Sequence, residues 1–586
     1  MPNEIQLTVD GRAVAVPDGT KVIEACARAG VKVPSLCALP GVCLNASCGV
    51  CLVEVAGAKS LLRSCVQDAA PGMQVLTASK RALEARRTVV ELLLANHPAD
   101  CLGCLRNGSC ELQSLAELVG ARPAALPRTR PDLPIDAAGA ALIRDPNKCV
   151  LCGRCVAVCR EVQSVSAIDF VGRGARTRVA PFLDKSLALS VCTSCGQCSL
   201  VCPTGALTER DESAAVLDAL RDPERTVVVQ TAPAIRASLG EALGLGPGNL
   251  ATGKLVAGLR RLGFAKVFDT DFTADLTILE EGNELLKRLG SGGVLPMITS
   301  CSPGWINFIE TFYPKLLPHL STCKSPQQMF GALAKTFWAE RAGIDPAKLT
   351  VVSIMPCTAK KAEARRPEMR DAWDYWKKKG KPAAAYDDVD FALTTRELAR
   401  LFRRVGIDFA SLPDEAFDDP LGASTGAAVI FGSSGGVMEA AVRSVYELVV
   451  KQPLPSLELA PLRGLDGVKS ADLDLAGTKL KVAVSHSLKN ARVLLDEIAA
   501  GKSPYAFIEV MSCPGGCIGG GGQPISADPA ARQKRQEAIY AEDRRLPLRK
   551  SHDNSAVKAL YADFLGEPLG HLSHELLHTS YARKEV

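Results

Sequence analysis

Cys149-Val-Leu-Cys152-Gly-Arg-Cys155-Val-Ala-Val-Cys159 returns 43 residues later as Cys192-Thr-Ser-Cys195-Gly-Gln-Cys198-Ser-Leu-Val-Cys202, followed by Pro203. Three cysteines at i, i+3 and i+6 gather their sulfurs around one compact centre. The fourth, beyond a three-residue spacer, ligates the other cluster of a two-cluster ferredoxin. Arg160 stands where the first copy would carry the proline. Structural zinc sites use two well-separated Cys-x2-Cys pairs instead. The repeat therefore predicts two 4Fe–4S clusters within residues 140–212. Cys149, Cys152, Cys155 and Cys202 serve one; Cys192, Cys195, Cys198 and Cys159 serve the other.

Working outward, residues 1–78 read as a hairpin-plus-helix domain. Ile5, Leu7 and Val9 alternate, Asp10-Gly11 turns, Val14 and Val16 follow, and Lys21 to Ala29 is helical. The domain holds Cys37, Cys43, Cys48, Cys51 and Cys65. Spacing favours Cys43-x4-Cys48-x2-Cys51, the plant-type 2Fe–2S pattern, but such a core needs only four thiols. Counting does not choose between Cys37 and Cys43. Arg81 to Ala95 reads as a helix leading into His97-x3-Cys101-x2-Cys104-x5-Cys110, within a segment spanning 79–121. That set fits zinc or a 4Fe–4S cluster with one imidazole ligand, and the neighbouring cluster sites favour the second. A Pro- and Ala-rich linker is expected over 122–139.

The 586 residues exceed what one core supports. With 22 cysteines and no basic-then-apolar leader after Met1, the expectation is a cytoplasmic metalloprotein rather than a disulfide-bonded one. No run of about eighteen apolar residues predicts a membrane span. The formal charge of +5 carries no nucleic-acid inference, because four thiolates around an oxidised cluster core leave about −2 at each site. Cys26 and Cys323 belong to no group and are expected in the core. The Lys377–Lys381 run reads as a solvated loop.

Residues 213–525 alternate apolar strands, such as Val227–Val229, Val351–Ile354 and Val429–Phe431, with helical stretches, an α/β pattern. Three cysteine motifs lie in it: Thr299-Ser-Cys301-Ser302-Pro-Gly-Trp305, Met355-Pro-Cys357-Thr-Ala-Lys360 and Cys513-Pro-Gly-Gly-Cys517 with Gly519 to Gly522 behind it. Neither this glycine run nor Gly432-Ser-Ser-Gly-Gly436 has the Lys-Ser/Thr or the dinucleotide fingerprint of a nucleotide site. The tail from 526 carries Arg532-Gln-Lys-Arg535 and Arg544-Arg545, expected on a solvated helix face.

In this order the three late motifs resemble the signature of the iron-only (FeFe) hydrogenases, and the resemblance extends over essentially the whole chain. Within the family it is most similar to catalytic subunits of multisubunit NADP-reducing or electron-bifurcating enzymes. The resemblance implies a multidomain α+β and α/β protein. Its parts would be a β-grasp 2Fe–2S domain, a His/Cys 4Fe–4S segment, a two-cluster bacterial-ferredoxin domain, an α/β catalytic domain and a small-subunit-like extension over 526–586. It implies one 2Fe–2S and three accessory 4Fe–4S clusters. It also implies an active-site 4Fe–4S cluster bridged to a two-iron unit carrying CO, cyanide and a dithiolate. Cys357, Cys513 and Cys517 match cluster ligands, with Cys517 bridging, and Cys37 is selected over Cys43. The first domain and the His/Cys group also resemble the large iron–sulfur subunit of respiratory complex I, which marks an electron inlet rather than hydrogen chemistry.

The family's first motif has adjacent cysteines, one relaying protons and one binding the cluster; here the second is Ser302. Either Ser302 supplies oxygen, or Cys301 becomes the ligand, or that iron has another partner. The resemblance further implies a proton relay of Cys301, Glu281, Ser321 and Glu284 with Arg288 near its exit, and Lys360 beside a cyanide. By residue type alone, Glu280-Glu281-x2-Glu284 reads as an exposed helix face. The implied reactants are dihydrogen and protons. Implied partners are flavin- and NAD(P)-binding and 2Fe–2S subunits, ferredoxin, and maturation proteins. A hydrogen sensor or a noncatalytic iron–sulfur scaffold are the competing readings. No separate signalling domain supports the first; Lys360, Glu363 and the intact Cys513–Cys517 run oppose the second.

Overall fold

The computed structural model describes residues 4–122, 126–381, 384–475, 477–526 and 528–585. Glu4–Val9 and Arg12–Pro17 form an antiparallel hairpin with Leu7 opposite Val14. Both turn residues, Asp10 (φ 48°) and Gly11 (φ 80°), are left-handed, which matches the turn to the twist of its strands. The first strand also pairs in parallel with Gln74–Leu76, and the sheet continues through Leu52–Val55 to Leu62–Arg63. Ile5, Leu7, Val9 and Val16 share a core with Val22, Ala25 and Cys26 of the helix Val22–Arg28, giving the expected β-grasp arrangement. Cys26 is a core residue, as its isolation in sequence suggested.

The helix Lys80–Ala95 starts where the Ser79 hydroxyl accepts the Ala82 amide. Its buried Arg86 holds the Leu52 carbonyl at 2.6 and 2.9 Å. Of the expected linker, residues 123–125 lie outside the described residues. The part beyond them is pinned: Asn96 Oδ1 accepts from the Thr129 and Arg130 amides, and Asp136 bridges to Arg144.

The repeat folds as a repeat. Gly153 (φ 78°) and Gly196 (φ 72°) each precede a short helix, Arg154–Ala157 or Gln197–Val201. Leu151 and Ser194, two residues earlier in each copy, are also left-handed, and their amides point at the Cys149 and Cys192 sulfurs at 3.4 Å. The copies diverge where the sequence does. Cys202 precedes Pro203 and is extended, because proline disfavours a helical residue before it. With Arg160 there instead, the first copy continues as a wide turn over Val158–Val162.

Beyond it, four parallel strands run in the order Lys266–Asp269, Thr226–Thr231, Leu349–Met355, Phe391–Thr394. A second sheet orders Met297–Ile298, Phe507–Met511, Thr478–His486 and Val468–Leu475, with only the last pair antiparallel. Val429–Phe431, expected as a strand, is helical: Gly426–Val429 runs into a tight turn at Ile430–Gly432. A short apolar run has no periodicity to separate the two, and this one is buried on all sides. The glycine–serine turn behind it opens the helix Gly436–Val450, where the Glu509 carboxylate accepts the Gly435 and Met438 amides at 2.7 Å each. The chain's own carboxylate takes the position a phosphate would occupy.

Two surface expectations are corrected. In the tail helix Ala531–Arg545, Arg535 is buried, paired with Glu241 at 2.6 Å and bound to the Ile518 carbonyl at 2.8 Å; Arg532, Arg544 and Arg545 are exposed as expected. Lys377 and Lys378 finish the helix Asp371–Lys378 rather than a loop. Lys377, Lys379 and Lys381 lie over the rings of Trp373, Tyr375 and Trp376, which draw cations to their faces. Among the described residues no helix is long and apolar enough to cross a membrane.

Glu509→Ala should strand two buried amides and cost on the order of 3 kcal/mol. The expected result is a lower denaturant midpoint by circular dichroism; an unchanged midpoint would mean those amides have other partners.

Candidate active site

Three strands deliver the late motifs to one place. Met297–Ile298 runs into Cys301 and Ser302, Leu349–Met355 into Pro356 and Cys357, and Phe507–Met511 into Ser512 and Cys513. Sites in α/β sheets form beyond such carboxyl ends. Here the loops line a cavity walled by Cys301, Ser302, Cys357, Lys360, Cys513 and Cys517. The glycine run makes the approach possible. A Cβ at Gly520 would strike the Pro356 carbonyl, and one at Gly521 the Cys195 carbonyl.

Burial pushes the Cys357, Cys513 and Cys517 thiols up, Cys517 to about 12, and mutual repulsion among the three adds to the rise for Cys513 and Cys517. Converging buried thiols with little compensating charge are costly as free thiolates and suit a cationic iron centre. Lys360 is the cation at hand. Its ammonium donates to the Cys301 carbonyl at 3.2 Å and to Glu363 at 2.9 Å, and Glu363 in turn accepts from Ser325 and Gln327. The Ser302 hydroxyl lies 2.8 Å from that of Ser512 and accepts the Ser512 amide at 3.2 Å. Sequence reading passed over Ser512, for which adjacency to Cys513 was the only signal.

Cys301 also has Glu281 as a neighbour. Burial first, and then the Glu281 carboxylate, raise its thiol well above the usual range. Glu281 belongs to the helix Thr270–Ser291, whose residues from Thr270 to Leu285 are almost all buried, so the exposed-face reading of Glu280, Glu281 and Glu284 fails. Residues at i, i+3 and i+7 share one helix face, which sets Glu281, Glu284 and Arg288 in line. Ser321 lies within hydrogen-bond reach of Glu281 and donates to Glu284 at 2.9 Å; Arg288 meets Glu284 at 2.6 Å. Burial, then repulsion from Glu284, pushes Glu281 up to about 8.

The remaining cysteines also gather. Cys149, Cys152, Cys155 and Cys202 line one cavity, and Cys159, Cys192, Cys195 and Cys198 line another. Cys195 also walls the late-motif cavity, while Cys149 shares a third cavity with His97 and Cys48. In the first domain Cys37 is within reach of Cys48, and Cys51 of Cys65. Cys43 instead points its thiol at the Cys37 carbonyl, 3.8 Å away. His97 Nδ1 is buried with no hydrogen-bond partner, an orphan that a metal would satisfy. Cys104 and Cys110 are half-buried, whereas Cys101 is exposed.

Family models match along the chain. A 2Fe-2S iron-sulfur cluster binding domain matches residues 2–80, an NADH-ubiquinone oxidoreductase-G iron-sulfur binding region 86–123, and a 4Fe-4S dicluster domain 148–206. The C-terminal domain of the iron only hydrogenase large subunit matches 225–521, and the iron hydrogenase small subunit matches 529–584. The NADP-reducing hydrogenase subunit HndD of Solidesulfovibrio fructosivorans is 49% identical over 99% of both chains. Iron hydrogenase 1 of Clostridium pasteurianum is 37% identical over 98% of this chain and 100% of its own. The apo FeFe-hydrogenase HydA1 of Chlamydomonas reinhardtii superposes with a TM-score of 0.57 at 44% identity, covering 64% of this chain and 100% of that one.

The buried acid pair can be titrated. The protonated carboxyl band of Glu281 should disappear with a midpoint of about 8 in an infrared pH titration and be absent in Glu281→Gln. Because the negative charge of Glu284 favours neutral Glu281, Glu284→Gln should move that midpoint down. No movement would dissociate the two carboxylates.

Proposed function

Since this chain belongs to the iron-only hydrogenase family, we propose that it is the catalytic subunit of an NADP-reducing type of complex, cleaving dihydrogen reversibly into protons and electrons. The observation that carries this reading is the shared cavity. One wall holds the late-motif cysteines and Lys360, Cys301 leads to Glu281, and Cys195 belongs equally to the ferredoxin repeat.

Cys357, Cys513 and Cys517 would hold the bridged 4Fe–4S and two-iron group, with Ser302 offering oxygen at the fourth position and Ser512 orienting that hydroxyl. When bound, the group supplies Lewis-acid polarisation of dihydrogen and accepts its electrons. Lys360, fixed by Glu363, would offer its ammonium to an anionic ligand of that group such as cyanide. Cys301, kept as a thiol by burial, passes a proton to Glu281, and Ser321 hands it on to Glu284. A carboxyl titrating near neutrality suits both accepting and releasing a proton.

Electrons leave toward the N-terminus along neighbouring centres: the late-motif cavity shares Cys195 with the second ferredoxin set, both ferredoxin sets lie in one core, and the first set shares Cys149 with the His97 cavity. Cys195 leads to the set of Cys159, Cys192 and Cys198, then to Cys149, Cys152, Cys155 and Cys202, and on to His97 and Cys48. His97, Cys101, Cys104 and Cys110 would hold the third accessory 4Fe–4S cluster, and Cys37, Cys48, Cys51 and Cys65 the 2Fe–2S cluster. A partner subunit with flavin and NAD(P) sites would receive the electrons, through its own 2Fe–2S module or beside ferredoxin. Maturation proteins would supply the two-iron unit.

Anaerobically matured protein should show infrared bands of bound CO and cyanide that change under hydrogen. Their absence, with a control hydrogenase matured alongside, would favour a scaffold. Glu281→Gln should lower hydrogen uptake by roughly a hundredfold or more while iron content stays the same; full activity would remove it from the relay. Cys37→Ser should lose the 2Fe–2S paramagnetic signal and Cys43→Ser keep it, and the reverse would exchange their roles.

A further inference from the structure

Arg288, at the expected end of the relay, is badly suited to carry a proton. Its Nη2 donates at 2.6 Å to both Glu284 and the Leu320 carbonyl, and its Nη1 faces the carbonyls of Pro318, Val294 and His319 at 3.2, 3.3 and 3.4 Å. A guanidinium does not deprotonate in proteins. Caged this way it is a fixed cation that holds Glu284 in place.

A titratable group stands on the other side of Glu284. Residues 577–579 of the C-terminal extension pair with 322–324: the Lys324 amide binds the Leu577 carbonyl and the Thr579 amide the Thr322 carbonyl, each at 2.8 Å. This sets the buried His578 so that its ring nitrogen, a Glu284 oxygen and the Cys323 sulfur lie within 4.8 Å of one another. His578 Nδ1 is 2.8 Å from the Thr322 hydroxyl, and Nε2 is 3.1 Å from Glu280. Glu280 also accepts from Tyr561, Ser573 and the Leu569 amide. A carboxylate so furnished stays anionic. It keeps Nε2 as a donor and leaves Nδ1 as the proton acceptor. The ring of His574 stacks on His578 at 4.5 Å and 15°, and His574 is exposed.

We propose that His578 and His574 form a second proton exit from Glu284, supplied by the C-terminal extension. The inference rests on the relay proposed above. Thr322 bridges the two groups, its amide donating to Glu284 at 3.0 Å and its hydroxyl lying 2.8 Å from His578 Nδ1; turned toward Glu284, that hydroxyl takes the carboxyl proton as its own proton moves to Nδ1. The imidazolium is held against Glu280, and the proton leaves its ring edge by exchange with solvent water on the side where His574 is exposed. No electrons move and the charge on Glu284 returns to −1 beside Arg288. The charged and titratable groups around the pair are Glu280, Glu284, Arg288 and Lys287 on the long helix, Cys323 beside Glu284, and Tyr561 across Glu280.

The test uses matured holoenzyme taking up hydrogen with a saturating viologen acceptor, so that electron exit is not limiting. His578→Gln keeps a hydrogen-bonding side chain but cannot titrate; Thr322→Val leaves His578 in place and breaks the link. Each should slow uptake by roughly ten- to a hundredfold at neutral pH and change the shape of the pH–rate profile. Free imidazole should return part of the rate to His578→Gln. Iron content and thermal midpoint serve as the check that a loss is not structural. Unchanged rate and profile in both variants would overturn the second exit, as would a loss in Thr322→Val with an unaltered profile. Glu281→Gln separates the two claims. If it leaves uptake intact, the relay itself falls; if it abolishes uptake while both other variants run normally, only the imidazole exit falls.

Discussion

The close approach of backbone at Gly519 to Gly522 is the constraint on which the rest of the site depends. Those glycines are packed against the carbonyls of Pro514, Pro356 and Cys195 and the side chain of Thr394, with no space for a Cβ. Any side chain there would push the Cys513–Cys517 loop away from the Cys357 loop and from the ferredoxin repeat together. Gln197 and Arg396 secure the same contact, donating to the carbonyls of Gly519 and Gln523 at 2.9 and 2.7 Å. Catalytic cavity and electron exit are therefore products of a single packing event, in which residues over 300 positions apart share one wall.

The long helix Thr270–Ser291 shows how environment separates neighbours of identical chemistry. Glu280 and Glu281 are adjacent and both buried. Burial raises each, but donors from His578, Ser573, Tyr561 and the Leu569 amide overcome it at Glu280 and hold that carboxyl below its ordinary value. Glu281 has the Ser321 hydroxyl and the repulsion of Glu284, and rises to about 8. One carboxylate becomes a permanent anion that anchors the C-terminal extension. Its neighbour becomes a group that can exchange protons near neutral pH.

Spacing alone was enough to read the ferredoxin repeat, because four ligands in eleven residues constrain the backbone locally, down to matched left-handed residues in both copies. The hairpin of the first domain was equally readable from alternation and a turn pair. The choice of Cys37 over Cys43 was not, since it depends on which thiol the fold brings to Cys48. Val429–Phe431 misled because a fully buried helix and a buried strand have the same apolar signature. Ser512 was signalled only by its neighbour Cys513, and Thr322 and His578 gave no local signal. Each matters through a partner distant in sequence, and neither residue type nor spacing reports a contact between residues 322 and 578.

Cleaving dihydrogen heterolytically requires that the charges formed be carried apart, and the architecture separates their routes by covalent origin. The proposed electron route would begin at Cys195, inside the repeat, and run through centres held by residues below 205. The proposed proton route would begin at Cys301 and run along a helix and the extension above residue 526, through oxygen and imidazole groups. Lys360 stands at the division, bonded to the Cys301 carbonyl on one side and to Glu363 on the other. A fixed cation there favours negative charge in the cavity and opposes entry of a second positive charge. In the proposed relay a proton arriving at Cys301 would thereby be directed toward Glu281, the buried carboxyl beside it.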